Sequence, residues 1–100
     1  ELSRETRAIK EKVGDASAFL KKLANADRLL ICCALSDGEL SVRQIEDALG
    51  LRQPGLSQQL AELRSAELIV GRKEGKQVFY RLADPRVETF VHTMYQLFCK

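Results

Sequence analysis

The thiol and imidazole chemistry open to this 100-residue chain lies in four residues: Cys32, Cys33, Cys99 and His92. Thiols offer two kinds of chemistry. As thiolates they are soft ligands for arsenite, copper(I) or zinc. As nucleophiles they take up sulfur or oxygen and can be resolved by a second thiol. Cys32 and Cys33 are neighbours in a segment of helical spacing, so their side chains diverge by about 100°, which disfavours one shared ion. The chain has no thioredoxin-like Cys-x-x-Cys, no glycine-rich phosphate loop and only one histidine, so an enzyme is not expected. Cys32 reads most simply as a small hydrophobe in a buried helix. His92, beside Val91, reads as a satisfied polar residue at an interface rather than a ligand. Two readings of the thiols stay open at this point, a metal or metalloid sensor using Cys32, Cys33 and Cys99, and a thiol-redox sensor.

A different chemistry is written in residues 52 to 76. Gln53, Ser57, Gln58 and Gln59 lie in and around the first turns of an apparent helix whose buried stripe is Leu56, Leu60 and Leu63. Glutamine can pair bidentately with adenine, and serine can donate or accept. Arg52 precedes them, and Arg72, Lys73 and Lys76 follow within one short segment, opposed only by Glu74. Such cations suit phosphates or the minor groove, and Arg43 and Arg64 could add backbone contacts. An exposed polar helix alone, or a charged turn alone, is unremarkable. In this order and spacing they describe a reading helix followed by a basic wing, and the expected partner is double-stranded DNA. A winged helix used only for protein contacts is the alternative.

The elements that must position these residues follow from the hydrophobic spacing. Ile9, Val13, Ala16, Leu20 and Leu23 mark one face of a helix over about 3–24, weakened at Gly14. A shorter helix over 26–35 is apolar nearly all round and is expected to be central and buried. Ser41 reads as an N-cap and Gly50 as a stop for a helix over about 42–49. Pro54 suits the first turn of the next, over 54–66. Residues 68–82 read as a β-hairpin about a glycine turn, and Asp84-Pro85 as the start of a last helix with Val87, Phe90, Val91, Met94 and Phe98 inward. The expected fold is mainly α with a β-hairpin wing, in the order helix–helix–helix–helix–hairpin–helix: a winged helix-turn-helix, as a single domain over 1–100.

Composition agrees. Apolar residues make up 45% and charged residues 30%, an ordinary folded mixture. The net charge is only +2, so the case for nucleic acid rests on where the cations sit. No apolar run reaches the length of a membrane span. The three cysteines do not resemble a secreted disulfide scaffold, so a cytoplasmic location is expected. A chain this short buries limited apolar surface alone, which makes a homodimer the natural completion of its core.

Several segments together resemble the ArsR–SmtB family of bacterial repressors. Ala24-Asn25-Ala26-Asp27-Arg28-Leu29 is similar to the joint between that family's first two helices, and Gly38-Glu39-Leu40-Ser41-Val42 to the lead into its third. Gln53-Pro54-Gly55-Leu56-Ser57-Gln58-Gln59-Leu60 resembles its recognition helix, and Arg72 through Leu82 its wing. The resemblance implies a dimer formed by the first and last helices, here about 3–24 and 84–99, and an inducer that weakens operator binding. It also marks departures. The cysteine pair that many metal-sensing members carry before the third helix is replaced by Leu40-Ser41-Val42-Arg43. The zinc site on the last helix would keep Asp84 but meets Arg86 where a histidine is wanted, so no metal and no cofactor is expected. The resemblance is greatest to the persulfide- and sulfide-responsive branch, whose two cysteines fall at Cys33 and Cys99. It implies a repressor that binds an inverted-repeat operator when reduced, releases it when reactive sulfur species bridge Cys33 and Cys99, and controls sulfide-detoxification genes.

Overall fold

Helices begin in this chain where a side chain can satisfy the amides that the first turn leaves unpaired. In the computed structural model, which describes residues 1–99, Ser3 accepts from the Thr6 amide and opens α1 (Arg4–Leu23). Asn25 accepts from the Arg28 amide and opens α2 (Ala26–Leu35). Ser41 and Gln44 form a reciprocal capping box at the head of α3 (Val42–Leu49), which Gly50 ends in the left-handed region at φ 69°. Asp84 accepts from the Arg86 amide and opens α5 (Pro85–Phe98), with Pro85 at the first helical position. The fourth helix, α4 (Gly55–Ser65), lacks a cap from its own preceding residue, Pro54. It is served instead by Gln53, whose Oε1 accepts from the Ser57 amide at 3.1 Å.

Three strands join these helices. β1 (Leu40–Ser41), β2 (Ile69–Glu74) and β3 (Gln77–Leu82) form an antiparallel sheet in the order β1–β3–β2. The wing is thus a hairpin plus a third strand that the hydrophobic pattern did not reveal. Two residues are too few to display a period of two, and Ser41 doubles as the cap of α3. The register pairs Leu40 with Tyr80 and Gly71 with Tyr80, on either side of β3. Gly75 turns the hairpin with φ 63°. With Glu74 paired to Gln77, the two-residue turn has glycine at its first central position. The fold is a winged helix-turn-helix.

Ile31, Ile45, Leu56, Leu63, Ile69 and Val87 fill the core. α2 is less enclosed than its composition suggested: Ile31, Cys32 and Leu35 are buried, but Leu30 is exposed and Cys33 half-buried. Gly14 does not interrupt α1, which runs for 20 residues. Its first half projects from the body and makes the fold 56 Å long against 30 and 21 Å in the other directions. The expected apolar face of α1 lies open, with Ile9, Val13 and Leu20 exposed by 54%, 55% and 50%. α5 is similar: Val87 is buried, Phe90, Val91 and Met94 are half-buried, and Tyr95, Leu97 and Phe98 are exposed. Among the described residues no helix is long and apolar enough to cross a membrane.

Candidate nucleic-acid interface and thiol pair

α3 and α4 are joined by a short turn, and Ile45, Leu56, Leu60 and Leu63 anchor them to the body. That leaves Arg52, Gln53, Ser57 and Gln58 exposed at the head of α4, as the spacing predicted. They are not equally available. Gln53 Oε1 also accepts from Ser57 Oγ at 2.5 Å, so the two form a closed unit whose remaining donors are the Gln53 amide N–H groups. No intramolecular hydrogen bond of the Gln58 side chain occurs among the described residues, so both ends of its amide can meet a base edge. Gln59 departs from the expectation. It is half-buried, and its Oε1 accepts from Arg28 Nη1 at 2.7 Å. It lies at the flank of α4 that faces α2, with its amide oxygen engaged within the fold.

The cations divide in the same way. Arg64 lies in the last turn of α4, where its Nη1 donates to Tyr80 Oη at 2.7 Å and ties the helix to β3. Arg72 is gripped by both Glu39 oxygens, at 2.9 and 2.7 Å, and by Glu74 at 2.8 Å, and it stacks over the Phe79 ring at 4.6 Å. Its guanidinium holds the Glu39 carboxyl below the usual carboxylate range, chiefly through that hydrogen bond, and is itself pushed further toward the charged form. Arg72 therefore anchors the wing to the segment before α3, a role for which only its partner Glu39 could have given a signal. Lys73 and Lys76, at the wing tip, are exposed and enter no ion pair among the described residues. Arg43 and Arg52 are likewise exposed.

The wing root depends on close packing. The Tyr80 ring lies against Gly71, and a Cβ added there would come within 2.8 Å of Tyr80 Cε1. Glycine is required at this point by space, not by backbone angle.

The thiols differ sharply. Cys32 is buried in the core, and burial pushes it up to about 12, with the neighbouring Cys33 adding to the shift and Arg28 opposing it. Cys33 is half-buried on the adjoining face of α2 and is also raised, first by burial, then by Asp37 and by Cys99. Cys99 is exposed in the cap position of α5, its amide donating to Tyr95 O at 2.9 Å. α5 packs against α2, and the charge of Cys99 is felt at Cys33. The three thiols do not converge. Cys32 faces the core, and no group of three or more His, Cys, Asp or Glu gathers among the described residues. His92 is exposed in the single protomer, its Nε2 lying 3.3 Å from the Gln96 amide nitrogen.

Known proteins share this architecture. Residues 25–70 match the family model described as bacterial regulatory protein, arsR family. The biofilm growth-associated repressor of Agrobacterium fabrum is 41% identical over 92 residues, covering 92% of this chain and 79% of that protein. Among solved structures, the transcriptional repressor BigR from Xylella fastidiosa superposes with a TM-score of 0.92 at 35% identity, over 99% of each chain. Reduced HlyU from Vibrio cholerae superposes with a TM-score of 0.86 at 38% identity, over 94% of this chain and 99% of that one. With the reading helix inside the matched region and a repressor 41% identical over nearly the whole chain, this chain belongs to the ArsR family of bacterial transcription regulators.

Proposed function

We propose that the chain is a dithiol-controlled transcriptional repressor. A single-domain protomer pairs with a second copy through the open apolar faces of α1 and α5. The reduced dimer sets its two α4 helices in successive major grooves of an inverted repeat, and Lys73 and Lys76 hold the flanking phosphates. The match to repressors of similar length supports the DNA half of this reading. The exposed Ile9, Val13 and Leu20, with Tyr95, Leu97 and Phe98, support the dimer, since soluble chains cover apolar patches of this kind.

Reactive sulfur is the proposed inducer. A persulfide donor R–S–SH gives its outer sulfur to the Cys99 thiolate, leaving Cys99–S–SH and releasing R–SH once a proton is taken up. The Cys33 thiolate then attacks the inner sulfur of that persulfide. A Cys33–Cys99 disulfide forms, the persulfide S–S bond breaks and HS⁻ leaves, so the transferred sulfur is reduced as the two thiols are oxidised. When both thiols carry an extra sulfur, the same displacement leaves a longer bridge and again expels HS⁻. The single observation that carries this reading is the placement of a half-buried Cys33 on α2 and an exposed Cys99 at the end of α5, two helices that pack together, while Cys32 is sealed in the core. A relative whose solved form is described as reduced is consistent with it. Bridging would load α2, which also carries Arg28 and its bond to Gln59 of α4. A tenfold to hundredfold loss of DNA affinity needs only about 1.4–2.8 kcal/mol of differential binding.

Such a switch would control genes that remove sulfide, in the cytoplasm where thiols are otherwise kept reduced. The decisive experiment exposes the reduced protein in parallel to a persulfide, a disulfide and a peroxide, and reads intact mass and DNA binding together. Cys33→Ser and Cys99→Ser should each bind DNA normally and ignore the persulfide. Normal release by both variants would refute the switch. Titration with arsenite and zinc tests the metal alternative on the same samples.

A further inference from the structure

The reading helix is steered from behind. Gln59 and Glu62 stand three apart on α4 and so share one face, and both are taken by the corner where α1 meets α2. Arg28 Nη1 donates to Gln59 Oε1 at 2.7 Å, and Lys22 Nζ to Glu62 Oε1 at 2.6 Å. Arg28 is itself fixed. Its Nε donates to the Lys22 carbonyl at 2.6 Å and its Nη2 to the Lys21 carbonyl at 3.4 Å. Those carbonyls belong to the last turn of α1, where no further helical amide follows and the helix dipole ends negative. One guanidinium thus closes the C-terminus of α1 and holds the side of α4. Its planar fork fixes donor directions, so it transmits an angle as well as a distance. The Lys22–Glu62 pair is exposed, and a flexible pair of that kind contributes little alone.

We propose that Arg28 and Gln59 are positioning residues for DNA binding: they set the angle between α1 and α4, and through it the half-site spacing that the dimer accepts. This rests on the reading above that two copies join through α1 and bind an inverted repeat. Given that joint, the separation of the two α4 helices is fixed by how each α4 is held to its own α1. Half-sites lie about one helical turn apart, so a small change of angle moves the reading helices out of phase with the grooves. Gln59 serves this purpose without touching a base, because its amide oxygen is already committed.

The test uses the duplex that the reduced, unchanged chain selects from a random-sequence pool, resynthesised with the half-site spacing altered by one base pair in each direction. Fluorescence anisotropy gives the affinities, and thermal melting reports the fold of each variant. The unchanged chain should lose about tenfold on either altered duplex, the scale of one mismatched base pair. Gln59→Leu, which deletes the acceptor at a half-buried site, should bind the original spacing several-fold more weakly and distinguish the three duplexes by less than about threefold. Gln59→Glu, which restores the acceptor as a carboxylate, should recover discrimination. If Gln59→Leu melts normally and discriminates as sharply as the unchanged chain, the positioning role is overturned. If the unchanged chain selects no inverted repeat, or ignores spacing, the dimeric reading falls and this inference with it.

Discussion

Cys32 and Cys33 are adjacent in α2, yet Cys32 is wholly inaccessible while Cys33 is half-buried on a face that senses Cys99. One helical step of about 100° separates a sealed thiol from one that solvent can reach. Alkylation should therefore be ordered. With a maleimide at pH 7.5 the reduced protein should take its first label at exposed Cys99 and its second, more slowly, at Cys33. The raised Cys33 thiol carries less thiolate than an ordinary one at that pH. Its labelling should accelerate as pH rises, close to tenfold per unit, until the thiol is ionised. Cys32 should react only after denaturant is added, at least about a hundredfold later, because the core must open first. Peptide mapping of timed samples checks the order, and labelling of Cys32 at the rate of Cys99 contradicts it.

The burial of Cys32 also has a thermodynamic consequence. Its thiol titrates at about 12 in the folded chain against 9.0 for an ordinary thiol, chiefly because the core excludes the thiolate. The folded form keeps its proton where the unfolded chain releases it. The stability that protonated Cys32 contributes is whole below pH 9 and is lost as pH climbs toward 12, at a slope of up to about 1.4 kcal/mol per pH unit. Cys32→Ala should cost about 1–2 kcal/mol at pH 7, from lost packing. It has no thiol to ionise, so the gap between the two proteins should narrow above pH 9 and close near pH 10. Urea unfolding of both proteins at pH 7, 9 and 10.5 measures this. A constant gap would mean that Cys32 does not sit in a dry core.

Gly71 offers a test of the wing root. A methyl group there would press into Tyr80 at Cε1, a buried ring whose hydroxyl accepts from Arg64. Overpacking of this kind typically costs about 1–3 kcal/mol, so Gly71→Ala should lower the melting temperature and weaken DNA binding as the wing shifts. Tyr80→Phe removes only a hydrogen bond, at about 1 kcal/mol. It should leave the Gly71→Ala penalty intact, because the clash is with the ring and not with the hydroxyl. A double-mutant cycle by thermal melting checks both, and relief of the Gly71→Ala penalty by Tyr80→Phe would locate the clash elsewhere.

What was legible beforehand was local. The Ser41 cap, the stop at Gly50 and the start of the last helix at Asp84-Pro85 are each read from residue type at one place in the chain. Each is decided within one turn of the chain. The polar ties that shape the site are not. Arg72 finds Glu39 across 33 residues and Arg28 finds Gln59 across 31, and no spacing rule connects such partners. For that reason Arg72 and Gln59, read as types in a pattern, gave no sign of the partners they hold within the fold. Thiol ionisation was hidden likewise, since burial and the charges of Asp37 and Cys99 arise only on folding. The open faces of α1 and α5 were visible as stripes, but a stripe does not say whether its cover comes from the same chain or another.

The division of the wing cations yields the last prediction. Arg72 is neutralised by Glu39 and Glu74, whereas Lys73 and Lys76 enter no ion pair among the described residues. Each phosphate contact contributes about 0.9 to the slope of log affinity against log salt. In a dimer, Lys73→Ala or Lys76→Ala removes two such contacts and should flatten that slope by about 2, with affinity falling on specific and random duplexes alike. Arg72→Ala should act differently. It releases Glu39 and the wing root, so affinity should drop while the slope changes by less than about 1. Binding of the reduced protein measured from 50 to 300 mM salt, over which the Debye length falls from about 14 to about 6 Å, separates these cases. An Arg72→Ala slope as flat as that of Lys76→Ala would mean that DNA draws the guanidinium off Glu39 and onto a phosphate.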